Sequence, residues 1–439
     1  MIDNTEINRG YKATELGAVP EEWKITHLKE LGTLSDGDWI LNKDYSESGV
    51  RLIQVGDIGI GKFMGKSSRF IKYERALELK CTFLQIDDIL ISRMADPIGR
   101  SCIFPKVDYP AITAVDIAIF RINQKIVDLD FVIFALNSPQ SLSQANKLAG
   151  GVTRQRASRK NLERLILPLP PLPEQRAIAA TLRTVQEAKE KTDAVIAATK
   201  ALKAAMMRHL FMYGPVPPEE AERIALKETE IGQVPEGWEI KKIGDVTIFQ
   251  PGYAFKSENY VDSGVKLFKI SNVSFGITNW DDVSYLPSSY LDKFKQYELK
   301  IGDLVIAMTR PIVQGGIKIS RISSNDCPSL LNQRVGRFIP KSTINLDFLY
   351  QCLFNSSFIN AISDGAGGSQ QPNISGKQIE RILIPVPSLE IQKQIAISLS
   401  SIDQKFAAEQ CRRQALDTLF ATLLHDLMTA KIRANEIPV

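Results

Sequence analysis

The chain has 439 residues, which is enough for two to four domains, and 44% of them are hydrophobic, which supplies sizeable cores. A net charge of +4 excludes a basic field over the whole surface, so any surface for a polyanion must be local. The five cysteines form no C-x-x-C pair and the three histidines lack ligand spacing, which excludes the common zinc motifs. With a polar N-terminus and no apolar run near ~20 residues, we expect a cytoplasmic protein without a membrane span.

Two repeated segments organise the chain. The segment KATELGAVPEEWKI, from Lys12, returns from Lys227 as KETEIGQVPEGWEI, and LILPLPPLPEQRAIAATL, from Leu165, returns from Ile382 as ILIPVPSLEIQKQIAISL. Repeats of this length mean that the chain contains two copies of one structural unit. Each Pro-x-x-Trp turn predicts a buried indole, at Trp23 and at Trp238, although a role in base stacking stays open.

Between these segments, each copy has the pattern of a mixed strand domain. Short apolar runs alternate with Gly, Asp and Pro, as in LQIDDILIS (84–92) and its counterpart LKIGDLVIA (299–307), and such runs predict strands joined by turns. Residues 131–137 and 348–355 are predicted to form short helices. A glycine pair then opens a loop in each copy, and this loop leads into the strand that precedes the prolines.

A long helix is predicted to follow the prolines in each copy, over residues 174–213 and 390–431. Apolar residues recur at spacings of four and three, which is typical of a coiled-coil seam. Both stripes are polar in the middle, at Lys189, Thr192, Thr199, Lys203, Glu409 and Arg413. At ~1.5 Å per residue each helix would be roughly 60 Å long, and we expect the two to pack antiparallel. Two separate amphipathic core helices are the alternative.

These elements predict seven segments. They are an N-terminal tail (1–11), a first strand domain (12–165), a proline segment with the long central helix (166–214), a linker (215–230), a second strand domain (231–382), a proline segment with the long C-terminal helix (383–432), and a tail (433–439).

Candidate DNA-binding residues lie in loops where the two copies differ. Arg and Lys neutralise phosphates and can read guanine, whereas Gln and Asn can read adenine with two hydrogen bonds. The loop after the first glycine pair is basic and its counterpart is amide-rich, which favours two different DNA targets over two solvated loops. The candidates are Arg93, Arg100, Arg154, Gln155, Arg156, Arg159 and Lys160 in the first copy, and Arg310, Gln314, Gln370, Gln371, Asn373 and Lys377 in the second.

The sequence contains none of the catalytic motifs that we considered. The segment GIGKFMGKSS (59–68) has no glycine at the spacing before Gly65-Lys66 that a phosphate-binding loop requires. The chain also lacks the Asn/Asp-Pro-Pro-aromatic tetrapeptide of adenine N6 methyltransferases, the H-E-x-x-H motif of metalloproteases and any cysteine–histidine cluster. We therefore predict no catalytic residues and no metal ligands in this chain.

Apolar residues outside the helical seams predict a surface for a partner protein. Val195 and Leu202 flank the first stripe, and Leu419, Leu424 and Met428 flank the second. In water they would form an exposed strip along the helices, which a further protein would cover, and the internal repeat would offer two similar surfaces to two copies of that partner. The alternative is that the strand domains fold back over the strip.

Two variable domains, each preceded by a TELGxVPExW segment and followed by LPLPPLPEQRAIA and a long helix, resemble the specificity subunit of type I restriction–modification systems. The resemblance extends from about Lys12 to Ala430. The second copy departs from the pattern, because Ser388 and Ile391 stand where the first has Pro171 and Glu174.

The resemblance implies an α+β fold, with two similar mixed α/β target-recognition domains separated by a pair of long antiparallel coiled-coil helices in a pseudo-two-fold internal repeat. Each domain would read half of a bipartite site in double-stranded DNA, and the helices would set the spacer. Two methyltransferase (modification) subunits would dock, and restriction/translocase subunits would join them. This chain would bind no cofactor; S-adenosylmethionine, ATP and Mg would be used by the partners.

Two other classes of function stay open at this point. One is a methyltransferase fragment whose catalytic motif is not recognisable, which would transfer methyl groups on its own. The other is a coiled-coil interaction scaffold with ligand-binding strand domains, which would bind no duplex DNA.

Overall fold

The computed structural model of the protein describes residues 10–94, 96–151, 155–313, 316–365 and 373–434. Contacts between residues divide the chain into two units. The first takes in Met1–Ala194 together with Cys411–Val439, and the second is Val195–Gln410. Because both boundaries fall inside the long helices, each unit consists of one strand domain and part of each long helix.

The first unit contains two four-stranded sheets and a group of short helices. Its strands are Tyr11–Thr14 (β1), Gly17–Pro20 (β2), Lys24–His27 (β3), Gly32–Asp36 (β4), Tyr45–Ser46 (β5), Val50–Ile53 (β6), Phe70–Ile71 (β7), Ile89–Ser92 (β8), Ser101–Ile103 (β9), Ala111–Thr113 (β10), Ile117–Ile122 (β11) and Ile166–Leu169 (β12). Its α-helices are Tyr73–Glu78 (α1), Leu129–Leu136 (α2), Pro139–Lys147 (α3), Arg159–Glu163 (α4) and the start of Leu172–Tyr213 (α5). Short 3-10 turns lie at Leu28–Glu30, Asn42–Asp44 and Val55–Asp57.

The central sheet of the first unit is antiparallel and has the strand order β4-β11-β8-β9. Alternate residues of β8 face two cores, since Ile89 and Ile91 pack with Phe120 and Phe131 while Leu90 packs with Cys102 on the other side. Burial of both faces explains why the predicted strand is a continuous apolar run. A second sheet, in the order β10-β6-β7-β5, is mixed, with β10 and β6 parallel.

The second unit repeats this arrangement. Its strands are Leu226–Thr229 (β13), Gly232–Pro235 (β14), Glu239–Lys242 (β15), Thr247–Pro251 (β16), Val265–Phe268 (β17), Phe275–Gly276 (β18), Tyr285–Leu286 (β19), Leu304–Ala307 (β20), Ile312–Val313 (β21), Gly316–Ile317 (β22), Ile319–Arg321 (β23), Ser329–Leu331 (β24), Val335–Pro340 (β25) and Leu383–Val386 (β26). Its α-helices are Ile243–Val246 (α6), Tyr290–Lys293 (α7), Leu346–Leu353 (α8), Ser356–Gly365 (α9), Gly376–Arg381 (α10) and the start of Leu389–Met428 (α11). Short 3-10 turns lie at Pro218–Arg223, Ser257–Asn259, Ile270–Asn272, Lys295–Tyr297 and Ser324–Asp326.

The central sheets of the two units share four strands, whereas the second sheet has four strands in the first unit and three, in the order β19-β17-β24, in the second. The order β16-β25-β20-β23-β18 contains the counterparts of β4, β11, β8 and β9 and adds one strand at the edge. A glycine follows the first strand of each central sheet, at Gly37 and at Gly252. A Cβ on Gly37 would lie 2.2 Å from the carbonyl oxygen of Ala114, and one on Gly252 would lie 2.1 Å from that of Asn332. Both positions therefore exclude a side chain.

The two repeated sequence segments meet in space within each unit. Strand β12, which leads into the first long helix, pairs with β3, which follows Trp23, and β26 pairs in the same way with β15, which follows Trp238. Both indoles are buried, as predicted. In the first unit, the indole N–H of Trp23 also donates to the Glu174 carboxylate, over 2.9 Å from Nε1 to Oε2.

A buried glutamine connects each long helix to the strand domain of its unit. The Gln175 amide donates from Nε2 to the carbonyl oxygens of Pro170 (2.8 Å) and Ile126 (3.3 Å) and accepts from the backbone N–H of Asp128 (2.9 Å). Gln392 makes the same three bonds in the second unit, to Pro387, Thr343 and Asn345. Asp128 and Asn345 cap the helices α2 and α8, so this amide fixes three segments at once.

Within the first unit, the long helices pack antiparallel. Leu182 of α5 shares a core with Leu424 and Leu427 of α11. Further along, Lys189 forms an ion pair with Asp417, at 2.9 Å, and Asp193 forms one with Arg413, at 2.7 Å, so that each advance along α5 is matched by an equal step back along α11.

Within the second unit, the helices follow the same rule. Leu210 and Phe211 of α5 share a core with Ile395 and Leu399 of α11, and Lys203 forms an ion pair with Asp403. The predicted polar positions therefore lie where the helices meet, and Thr192 and Thr199 are buried there. Antiparallel packing is confirmed in each unit, and separate core helices are the wrong alternative. In the described ranges, none of the helices combines the length and the apolar composition that crossing a bilayer requires.

We predict that Gln392→Leu lowers the free energy of unfolding of the second unit by about 2–4 kcal/mol, because it leaves two carbonyl groups and one N–H buried without partners. Urea denaturation followed by tryptophan fluorescence measures the effect. Gln394→Leu, at an exposed position of the same helix, is the control and should change stability by less than about 0.5 kcal/mol. Equal stability of the two variants would contradict a role for the amide.

Candidate DNA interface

The base of the basic loop of the first unit, which follows α3, lies beside the end of the central strand β8. Gly150 and Arg156 exchange backbone hydrogen bonds of 3.1 and 2.9 Å, and Arg156 also bridges to Met94 just beyond β8. These bonds close the loop at its base. Gln155 and Lys160 are exposed on it, whereas Arg154 lies outside the described residues.

Acidic side chains and backbone carbonyl groups of neighbouring segments hold three of the predicted arginines, Arg93, Arg156 and Arg159. Arg93 is buried, donates to the Ala157 carbonyl (3.0 Å) and forms an ion pair with Asp36 (2.6 Å). Burial, and then the nearby Arg156, lower the pKa of the Arg93 guanidinium. Arg93 therefore supports the loop from beneath, which corrects its interpretation as a surface residue.

Arg156 and Arg159 are partly neutralised at the same place. Arg156 lies 3.2 Å from the Asp116 carboxylate and donates to the Val115 carbonyl over 2.9 Å. Arg159 lies 3.6 Å from Asp36 and 3.5 Å from Glu163. Both side chains remain half-exposed, so they can also face a ligand, but the loop carries less free positive charge than its sequence indicates.

Arg100 is used inside the domain. Its guanidinium donates to the backbone carbonyls of Ile58 (2.8 Å), Val55 (3.1 Å) and Pro97 (3.1 Å), and burial lowers its pKa. These bonds hold neighbouring loops together, and the role of Arg100 in DNA binding stays a prediction.

Asp38, two residues after Asp36, has a raised pKa. Burial raises the pKa of the Asp38 carboxyl to about 6, although a hydrogen bond from the backbone N–H of Thr82 opposes the shift. Above pH 6 the Asp38 carboxyl is charged in the folded protein and the burial of this charge destabilises the fold, whereas protonation below pH 6 removes that cost. The next residue, Trp39, is 68% exposed, although it was not among the predicted surface candidates.

The corresponding loop of the second unit has the same backbone frame with different side chains. Asn373 bridges to Thr309 as Arg156 does to Met94, and the N–H of Ile374 donates to the Met308 carbonyl over 2.9 Å, as Ala157 does to Arg93. Asn373 thus occupies the place of Arg156. Asn373, Lys377 and Arg310 are exposed, while Gln314, Gln370 and Gln371 lie outside the described residues.

The predicted apolar strip on the helices divides into two groups. Leu202 is 51% exposed and Leu419 is 45% exposed, and Val195 is exposed as well. Leu424 and Met428 are instead buried in the core of the first unit, so the prediction was wrong for them. The reason is that the end of α11 packs beneath the strand domain, where Phe420 also meets Phe134 with 6.0 Å between ring centroids.

Leu202 and Leu419 occupy equivalent positions of the two sequence repeats, 217 residues apart. Ile397 of α11 was not among the predicted strip residues, yet it is 70% exposed, and its repeat counterpart is Ala180. An exposed apolar residue is thus shared by both repeats at Leu202 and Leu419, whereas at Ile397 the large side chain is found in one repeat only. In the described part of the chain, no group of three or more His, Cys, Asp or Glu side chains could hold a metal ion.

Comparison with known proteins gives a consistent set of similarities. The profile described as type I restriction modification DNA specificity domain matches residues 20–197 and again 235–418. The MjaVIII specificity subunit of a type I restriction enzyme from Methanocaldococcus jannaschii is 35% identical over 316 residues, which are 72% of this chain and 73% of the relative. The EcoAI specificity subunit from Escherichia coli is 36% identical over 194 residues, or 44% of this chain and 32% of that protein.

Solved structures share the fold. The S subunit of a type I restriction–modification system from M. genitalium aligns over 96% of this chain and 98% of its own, with a TM-score of 0.61 at 17% identity. A chain from a structure concerned with complex assembly and conformational transition of the type I R-M system aligns over 94% of this chain and 99% of its own, with a TM-score of 0.52 at 16% identity.

Proposed function

Because this chain belongs to the family of type I restriction–modification DNA specificity proteins, we propose that its two domains read the two halves of one bipartite DNA site. The observation that carries this proposal is the shared frame of the two loops. Arg156 and Asn373 occupy the same backbone position in corresponding loops, each bridged to the residue just beyond β8 or β20, so one scaffold presents two different hydrogen-bonding side chains. Two related readers with different loop chemistry suit a site whose halves differ in sequence.

In this proposal, the basic loop of the first unit binds DNA through its exposed side chains. Lys160 and Gln155 are exposed, and Arg156 and Arg159 are half-exposed. Arg93 supports this loop through the Ala157 carbonyl. In the second unit, Arg310, Asn373 and Lys377 are exposed and would face DNA, and the amide-rich segment next to them would complete the surface.

The long helices would set the length of DNA that is left unread. Within each unit their register is fixed both by apolar packing and by ion pairs such as Lys189–Asp417 and Lys203–Asp403. A slip of one residue would break these pairs and would rotate the apolar stripe away from its partner. A helix pair with a single register acts as a spacer of fixed length.

We also propose that the helices dock two copies of a methyltransferase subunit, which other subunits then join. Leu202 and Leu419 support this, because an exposed leucine recurs at the equivalent position of each repeat. Catalysis would belong to the partners, which would use S-adenosylmethionine, ATP and Mg. Consistent with a reading role, the chain lacks the tetrapeptide motif of adenine N6 methyltransferases.

The proposed function is tested in cells that express this chain together with its methyltransferase subunit. Sequencing that detects N6-methyladenine should show one bipartite motif with an unread spacer, because each domain reads one half. Cells with the methyltransferase alone are the control and should lack that motif. If the complete pair modifies no motif and the purified chain binds no duplex DNA, the protein is an interaction scaffold instead.

We predict that Lys160→Ala weakens binding to any duplex by about threefold at low salt and reduces the slope of log affinity against log salt by about one, because one phosphate contact is lost. Fluorescence anisotropy with labelled duplexes over a range of salt measures both quantities. Lys147→Ala removes an exposed lysine at the end of α3 and is the matched control. A change of sequence preference in Lys160→Ala would indicate base reading rather than phosphate binding.

We predict that Leu202→Asp combined with Leu419→Asp abolishes assembly with the methyltransferase while both strand domains remain folded, because a buried interface does not accept an unpaired carboxylate. Size-exclusion chromatography with light scattering measures the stoichiometry. Thr184→Asp with Ser401→Asp places the same charges at another exposed pair of equivalent positions and should leave two methyltransferase copies per chain. Full assembly of the leucine variant would reject this docking surface.

A further inference from the structure

The turn between β24 and β25 of the second unit presents two polar side chains to solvent. Gln333 and Arg334 are both exposed, and within the described ranges neither side chain has a hydrogen-bond or ion-pair partner. Arg334 adopts a left-handed backbone conformation with φ = 67°, which non-glycine residues rarely adopt. Glycine would adopt this conformation with less strain, so the arginine is not needed there for folding. Backbone strain of this kind is concentrated at functional sites.

This turn lies beside the loops already assigned to the second reading surface. The backbone N–H of Met308 donates to the Arg334 carbonyl over 2.7 Å, and the adjacent Thr309 bridges to Asn373. Arg310, two residues beyond Met308, is exposed and is also left-handed, with φ = 47°. Two exposed arginines in left-handed conformations therefore lie at the same end of two neighbouring strands, β20 and β25.

An aromatic side chain lies on the other side of the turn. The N–H of Gln333 donates to the Tyr253 carbonyl over 2.8 Å, and Tyr253 is 41% exposed. Its ring contacts Phe255, Phe294 and Tyr297, with centroid distances of 4.9, 4.7 and 5.4 Å, which hold it rigidly. A fixed, partly exposed ring beside free arginines is a common arrangement at nucleic-acid surfaces.

The same turn has a different role in the first unit. There Val115 and Asp116 take the places of Gln333 and Arg334, and they bind Arg156 through a backbone carbonyl and a carboxylate. The first unit thus uses the turn to support its basic loop. In the second unit the loop residue is the neutral Asn373, and the positive charge lies on the turn itself, free of any acidic partner in the described structure.

We propose that Arg334 and Gln333 form a second base-reading element of the second recognition domain, in addition to the amide-rich loop. This inference rests on the proposed function and extends it. The planar guanidinium of Arg334 suits two hydrogen bonds to a guanine edge, and the Gln333 amide suits an adenine. Arg310, on the adjacent strand end, binds the neighbouring phosphate.

The test uses the full chain assembled with its methyltransferase and reads N6-methyladenine over the genomic DNA of the expressing cells. Arg334→Gly removes the guanidinium and also relieves the left-handed backbone. We expect the motif to become degenerate at one guanine of one half, with discrimination there reduced by about 5- to 150-fold. The other half should stay unchanged, and the thermal unfolding midpoint should not fall.

Two further variants separate charge and strain from base reading. Arg334→Lys retains the charge without the two-pronged fork, so it should show the same degenerate position. Lys80→Gly is the matched control, because Lys80 is an exposed cation with φ = 54° in the first unit, and it should leave the motif intact.

The outcomes distinguish this inference from the function on which it rests. An unchanged motif in Arg334→Gly, or an intact guanine preference in Arg334→Lys, overturns the inference alone. A lower unfolding midpoint with an unchanged motif would make Arg334 a structural residue. If the parent complex modifies no bipartite motif, the proposed function fails and this inference fails with it.

Discussion

In each unit, one buried side-chain amide connects the strand domain to the long helix that follows it. Gln175 and Gln392 each satisfy two carbonyl groups and one N–H that would otherwise be buried without partners. Because three bonds from one side chain fix the proline strand, a helix cap and the start of the long helix, the direction of that helix follows from local chemistry. A connection of this kind fixes the start of each long helix against its strand domain, which a flexible linker would not do.

The proposed reading surfaces differ between the units because charge is placed on different segments of a common frame. In the first unit, Asp36 holds Arg93 beneath the loop and Asp116 holds Arg156 on it. In the second, the turn carries Arg334 and the loop carries Asn373. The four strands common to the two central sheets, and the bonds that close the base of each loop, recur in both units. In the proposed function, a change of loop chemistry on this shared frame would change the DNA target without a change of fold.

Much of this arrangement was predictable because the informative residues recur. The repeated prolines, tryptophans and glutamines located the units, and the spacing of apolar residues located both long helices to within a few residues of their observed ends. Side-chain roles were harder to predict. Arg93 and Arg100 seemed free because their partners, Asp36 and the Ile58 carbonyl, come from distant strands. Leu424 and Met428 are buried by tertiary packing that periodicity does not encode.

The division of the helices between the units also bears on biosynthesis. The second unit is one continuous stretch of chain, from Val195 to Gln410, and it can close as soon as that stretch has left the ribosome. The first unit begins earlier but lacks part of its core until Leu424 and Leu427 have been added. The domain synthesised first is therefore completed last. A chain that ends prematurely near its C-terminus would lack the part of the N-terminal domain's core that α11 supplies, while the domain in the middle of the sequence keeps its own core.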